Sequence, residues 1–201
     1  RSNESDSTNC CVAAAGDCLY AACDTRGVQV VGLHADGSLR DLGRVPAPNG
    51  AVGRIHVAGD IAFLAAGNLA VASLSLAKPA QPSWLGATSD RHIHSAFFGT
   101  TCHDLAWSRS PGVDGAAGRL HVFTADGETG MLVYDVTQPG SPRHLAALDD
   151  DPQASQVGVV TAIVLKGSQA ILLDDAFGLY VADVSAPARP RLVGQGLALT
   201  P

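Results

Sequence analysis

Four times along this chain a short Val-rich run passes through a polar turn into another short apolar run. That recurrence constrains the fold more than any other feature, because a repeated unit must stack on copies of itself to bury its apolar faces. The runs are GVQVVGL at 27–33, NLAVASL at 68–74, GMLVYDV at 130–136 and GLYVADV at 178–184. A further apolar run with its own small-residue turn precedes each of them: AAAGDCLYAAC, HVAGDIAFLAA, GRLHVFTAD and LKGSQAILLDD. Three of the four continue into paired prolines, in SLAKPAQPSWLG, VTQPGSPRHLAAL and VSAPARPRLVGQ, whereas the first continues into HADGSLRDLG.

Each unit therefore reads as strand, Gly-Asp or Gly-Ser turn, strand, acidic or Gly turn, strand, Pro-x-x-Pro turn, strand. Four short strands in roughly 40 residues is the size of one propeller blade. The first proline of each pair fixes its own φ and favours an extended residue before it. The second lacks an N–H and suits the start of an outer strand. The Asp of YDV or ADV can accept backbone N–H groups of the turn that follows.

Residues 178–195 and 130–146 resemble the LVIVD repeat, a bacterial and archaeal surface-protein repeat with the pattern Gly-Leu-x-Val-x-Asp-Val-Ser, then x-Pro-x-x-Pro and another strand. Residues 68–86 follow it with Asn68 for Gly and Ser73 for Asp, and residues 27–43 follow it only in the strand. The resemblance implies an all-β propeller of about four four-stranded blades, forming part of a larger ring of six to eight. It implies no catalytic residues.

On this reading residues 1–11 are a polar tail and 12–201 the propeller. The blades fall near 12–48, 53–87, 102–149 and 159–197, with an insertion at 88–118 in the third. A half-ring would leave two apolar blade faces bare. The expected partner is thus a protein that completes the ring, or the remainder of a longer polypeptide; a closed four-bladed ring is the third arrangement.

Composition narrows the partners. The formal charge is −6, with no run of Lys or Arg, which disfavours nucleic acid. The longest apolar stretches, such as VGVVTAIVL at 157–165, are too short to span a bilayer as a helix. The opening RSNESDSTN is polar and lacks the apolar centre of a signal peptide. Four of the five cysteines, Cys10, Cys11, Cys18 and Cys23, lie within fourteen residues, and no C-x-x-C occurs. This clustering suggests disulfides in an oxidising compartment, and so an extracellular, periplasmic or cell-surface location. The alternative is that Cys18 and Cys23 are small residues within strands.

The insertion is the most chemically loaded segment. His92, His94, Cys102 and His103 offer imidazole and thiolate ligands suited to copper or zinc. His56 and His121, in IHVAG and LHVF, either face the central channel of the propeller together with His103 or are partly buried strand residues with one hydrogen-bond partner. His34 and His144 fall near turns, where exposure is expected. Asp149, Asp150 and Asp151 could bind calcium, but the spacing of a calcium-binding hand is missing, and a solvated turn fits as well. Asp24, Asp126, Asp174 and Asp175 recur before third strands, which points to a turn role. Trp84 and Trp107 are expected between blades. No G-x-S-x-G elbow, phosphate-binding loop or H-E-x-x-H helix is present.

Two functions follow as expectations. One is a secreted or surface-exposed propeller module for protein–protein binding and assembly. The other is a copper- or zinc-dependent oxidoreductase or hydrolase with its site in the 90–104 insertion.

Overall fold

The computed structural model describes residues 10–47, 51–67, 69–88, 102–111, 118–148, 151, 157–175, 178–193 and 196–198. They form sixteen strands in chain order, grouped as four antiparallel four-stranded sheets of consecutive strands. We call these sheets blades 1 to 4. Blade 1 holds β1 (Cys10–Ala15), β2 (Cys18–Cys23), β3 (Val28–Leu33) and β4 (Leu39–Val45). Blade 2 holds β5 (Ile55–Ala58), β6 (Ile61–Ala65), β7 (Val71–Ser75) and β8 (Ser83–Ala87). Blade 3 holds β9 (Asp104–Arg109), β10 (Leu120–Ala125), β11 (Met131–Asp135) and β12 (Arg143–Ala147). Blade 4 holds β13 (Val160–Lys166), β14 (Gln169–Asp174), β15 (Gly178–Asp183) and β16 (Arg191–Leu192).

Two boundaries differ from expectation. The first strand begins at Cys10, inside the segment expected to be tail. DLAWSR, expected to be insertion, is β9, the first strand of blade 3. Its polar Asp104, Ser108 and Arg109 hid the strand pattern, and a long connection separates it from β10.

Turn chemistry repeats from blade to blade. In the three Pro-x-x-Pro turns the same backbone bond closes the loop: Gln81 to Lys78 at 2.8 Å, Ser141 to Gln138 at 2.9 Å, and Arg189 to Ala186 at 2.8 Å. Each second proline, Pro82, Pro142 or Pro190, directly precedes an outer strand. Asp135 and Asp183 accept the N–H of Thr137 and Ser185 at 3.0 and 2.9 Å, as the repeat pattern requires.

The turn between second and third strands joins neighbouring blades. Asp24, Gly67 and Gly127 sit there with φ of 52°, 52° and 56°. This left-handed backbone suits Gly and is tolerated by Asp. Each bridges the residue that leads into, or begins, the next blade's first strand: Val52, Cys102 and Val160. Gly127 and Val160, for instance, exchange both backbone bonds, at 3.1 and 2.9 Å. The first strands consequently follow one another, with β1 beside β5, β5 beside β9 and β9 beside β13.

Three apolar cores lie between the four blades. Tyr20, Val28 and Val30 of blade 1 pack with Leu64, Ala72 and Leu74 of blade 2. Phe63 and Val71, on the other face of blade 2, pack with Val122, Leu132 and Tyr134 of blade 3. Phe123, Met131 and Val133, on the other face of blade 3, pack with Ala170, Leu172 and Tyr180 of blade 4. Among the described residues no core joins blade 4 back to blade 1.

Burial follows from this series. Strands β10 and β11 of blade 3 are buried at every residue, because both faces are covered. In β2 and β15 buried residues alternate with half-buried ones, because one face of blades 1 and 4 is open.

Candidate functional site

The first polar cluster lies where the first strands of blades 2, 3 and 4 meet. Asp104, opening β9, has its carboxylate 3.7 Å from Arg54 Nε and 3.9 Å from His56 Nε2. One oxygen accepts the N–H of Leu105 at 2.9 Å, and the other accepts that of Ile163 in β13 at 3.2 Å. Asp104 thus ties three blades together. Burial lowers the pKa of His56, partly opposed by Asp104. The imidazole is then largely neutral at pH 7, so its contact with the carboxylate is a polar contact more than an ion pair. The Cys102 thiol lies beside them, directed to the Asp104 backbone carbonyl at 3.5 Å. The arrangement holds a carboxylate in place; it does not activate a hydroxyl or thiol.

The second cluster surrounds Asp135 at the outer margin of blade 3. Arg119 and Arg143 lie 3.5 and 3.8 Å from its carboxylate. Burial pushes its pKa up, but hydrogen bonds from Thr137 and the charges of His121 and Arg119 outweigh it, and the net shift is downward. Arg119, Asp135, Thr137, Gln138, Ser141 and Arg143 line a shallow cleft of about 370 Å³. The ion pairs are exposed on the arginine side, where such contacts contribute under about 1 kcal/mol.

The expected metal ligands are only partly described. His92 and His94 lie outside the described residues. Cys102 is buried in the core between blades 2 and 3, and its Sγ–H points to the Asp104 carbonyl at 3.5 Å. Burial raises its thiol pKa well above the ordinary value, the opposite of what a ligating thiolate needs. The His103 backbone N–H bonds to Ala125. Among the described residues no three His, Cys, Asp or Glu side chains are grouped to hold an ion. Asp149 and Asp150 lie outside the described residues. Asp151 accepts the N–H of Leu192 at 2.8 Å, joining the linker to the outer strand of blade 4.

The disulfide expectation is corrected. Cys11, Cys18 and Cys23 are free thiols. Cys18 faces the core towards blade 2, whereas Cys23, five residues along the same strand, faces the opposite side. Cys11 shares the face of Cys18 but is paired with Ala22. Cys10 is the cross-strand neighbour of Cys23, whose thiol is nonetheless free.

Other histidines divide. His121 is buried, with Nδ1 3.3 Å from Ser110 Oγ, the single partner expected of a strand histidine. His34 is exposed. His144, expected to be exposed, is half-buried and packs edge-on against Tyr134 at 5.6 Å. Trp84 donates to the Pro46 carbonyl at 2.7 Å and packs on the core between blades 1 and 2, and Trp107 packs on that between blades 2 and 3.

The remaining feature is the pair of open faces at the ends of the series. On blade 1 the open face carries Val12, Leu19, Ala21 and Val31, which are cross-strand neighbours. On blade 4 it carries Val164, Ile171, Leu179 and Val181. Val12 and Val164 are 64% and 62% exposed, well above the half-buried residues beside them. Contiguous apolar patches of this kind mark interaction sites. Sequence reasoning anticipated two bare faces but named none of their residues.

No family model matches the chain, and no curated protein matches it. Solved structures do. The computationally designed Ika8 protein aligns with a TM-score of 0.58 at 14% identity, over 87% of this chain and 45% of that one. The computationally designed Ika4 protein aligns with a TM-score of 0.57 at 15% identity, over 92% of this chain and 96% of that one. A candidate 6-phosphogluconolactonase from Bacteroides uniformis aligns with a TM-score of 0.56 at 15% identity, over 89% of this chain and 53% of that one. These likenesses concern the fold alone. The chain spans about half the length of the first and third of these proteins and nearly all of the second.

Proposed function

We propose that this chain is a β-propeller-type module for protein–protein binding and assembly, built from repeats of the LVIVD kind, and that it works at the cell surface or outside the cell. The observation that carries the binding reading is the pair of open apolar faces on blades 1 and 4. The middle strands of the interior blades are buried on both faces at nearly every residue, whereas those of blades 1 and 4 alternate buried with half-buried residues, so each end face carries the kind of apolar strand surface that the interior blades cover. Covering such a face at about 25 cal/mol per Å² of apolar area stabilises a complex well beyond what a polar rim supplies. The surface location rests on the repeat resemblance. Among the described residues no helix is long and apolar enough to cross a membrane.

A photoreactive amino acid placed at Val12 or Val164 in the producing cells tests the reading. Covalent adducts with protein are expected from both positions, and none from His34, which lies at an exposed turn. Absence of adducts from both end faces would overturn it.

A further inference from the structure

We infer that the occupant of each open face is a second copy of this chain, arranged head to tail, with the blade 4 face of one copy on the blade 1 face of the other. The inference rests on the assembly reading above and commits it to one partner.

The argument begins with direction. Each blade has a forward face, packed on the next blade, and a back face, packed on the one before. On the forward faces of blades 1, 2 and 3 the second strand carries an aromatic: Tyr20, Phe63 and Phe123. Ile171 holds that place on the open forward face of blade 4. The open face of blade 1 is a back face, like those that Leu64, Val122 and Leu172 occupy on blades 2, 3 and 4. The chain therefore carries both halves of an interface that it already makes three times internally.

A forward face meeting a back face is a heterologous contact, which either closes into a ring or runs on as a filament. Two copies are the fewest that can cover all four faces in this way. The length comparison is compatible with that number, since the four blades match 45% and 53% of two longer chains of similar fold, although they match 96% of the Ika4 chain. The margins do not oppose the contact. Asp41 and Arg44 stand on one face, both hydrogen-bonded to Gln29, and the cross-strand pair Asp183 and Arg191 on the other. Lys166, on the same face as Val164, adds a second base there, so both faces carry charges of both signs and no single-sign field confronts another of its kind.

One internal device is absent from this junction. In the first two internal interfaces a hydroxyl of one blade donates to the first proline carbonyl of the next blade's Pro-x-x-Pro turn: Tyr20 to Pro79 at 3.0 Å, and Ser73 to Pro139. Blade 1 has HADGS in place of that turn. The contact between copies consequently lacks one hydrogen bond that the first two internal interfaces make, and, having no covalent link, it is the junction that separates on dilution.

The test uses the whole chain and two variants at exposed positions, Val12→Lys and Val164→Lys. Light-scattering mass of the purified wild-type protein is expected at twice 20.5 kDa. Each variant alone spoils both contacts of a two-copy ring and is expected at 20.5 kDa. An equimolar mixture leaves one contact intact, between the unaltered forward face of Val12→Lys and the unaltered back face of Val164→Lys, and the doubled mass should return. A wild-type monomer overturns the proposal. So does loss of the doubled mass in only one variant, or no recovery on mixing, since either outcome means like faces pair with like. A monomer whose end faces still crosslink to a different protein overturns the second-copy assignment alone, and leaves the binding reading standing.

Discussion

Gly86 shows how closely single residues are constrained in this stack. A Cβ there would lie 2.2 Å from the carbonyl oxygen of Gly140, which belongs to the Pro-x-x-Pro turn of the next blade. Two backbones meet at that point, and no flexible side chain can yield. Gly86→Val should therefore cost at least ~2 kcal/mol, in the upper range for overpacking. Urea denaturation measures it directly, and a loss under ~0.5 kcal/mol would mean that the two blades are not in contact there.

Titration belongs to the same scale. His121 is held below its ordinary pKa of 6.5 by burial, partly opposed by Asp135, and His56 is lowered chiefly by burial. Folding thus disfavours the protonated imidazole. The stability linked to these groups is fully present above pH 6.5 and is lost as pH falls from there towards the lower folded values. Asp135, held below 3.8, adds a second loss at still lower pH. Denaturant melts from pH 7.5 down to 5 should show wild-type stability falling, and His121→Gln falling less steeply. Parallel slopes would mean that His121 does not titrate as its burial demands.

At the scale of the element, order along the stack predicts order of opening. Strands β6, β7, β10 and β11 sit in blades covered on both faces, whereas β4 is exposed along most of its length. Amides of β10 and β11 should exchange only through global unfolding, and those of β4 through smaller local openings. Equal protection across β4 and β10 in an exchange experiment on the dilute protein would contradict the series of blades.

The elements are also where the sequence was most informative. Alternating apolar residues, Gly-Asp turns and Pro-x-x-Pro pairs were enough to place fifteen of the sixteen strands, because each is a local rule of backbone geometry. The strand DLAWSR escaped because its polar residues mask the alternation. The pairing of Cys10 or Cys11 with Cys18 or Cys23 was suggested by spacing alone, which does not show cross-strand register: Cys11 stands opposite Ala22, and Cys11, Cys18 and Cys23 are free.

At the scale of the whole molecule the sequence could say that a partial ring leaves bare faces, but not which residues form them. Phe63 and Ile171 occupy equivalent places and look alike as apolar strand residues, yet one is buried by the next blade and the other is half-exposed. The difference comes from what packs on the face, and no local pattern encodes that. The polar clusters were legible only as separate residues. Asp104, Arg54 and His56 are far apart in sequence and meet because the first strands of successive blades lie side by side.

The central claim is that the end faces of blades 1 and 4 are working surfaces, covered when the protein acts. Hydroxyl-radical footprinting of the protein in its native surroundings, set against the purified and diluted chain, tests it most directly. We predict that Val12, Leu19 and Val31 on one face, and Val164, Ile171 and Val181 on the other, are protected in the first sample and labelled in the second, while exposed Leu85, in the outer strand of inner blade 2, is labelled equally in both. Equal labelling of both end faces in the two samples would contradict the account.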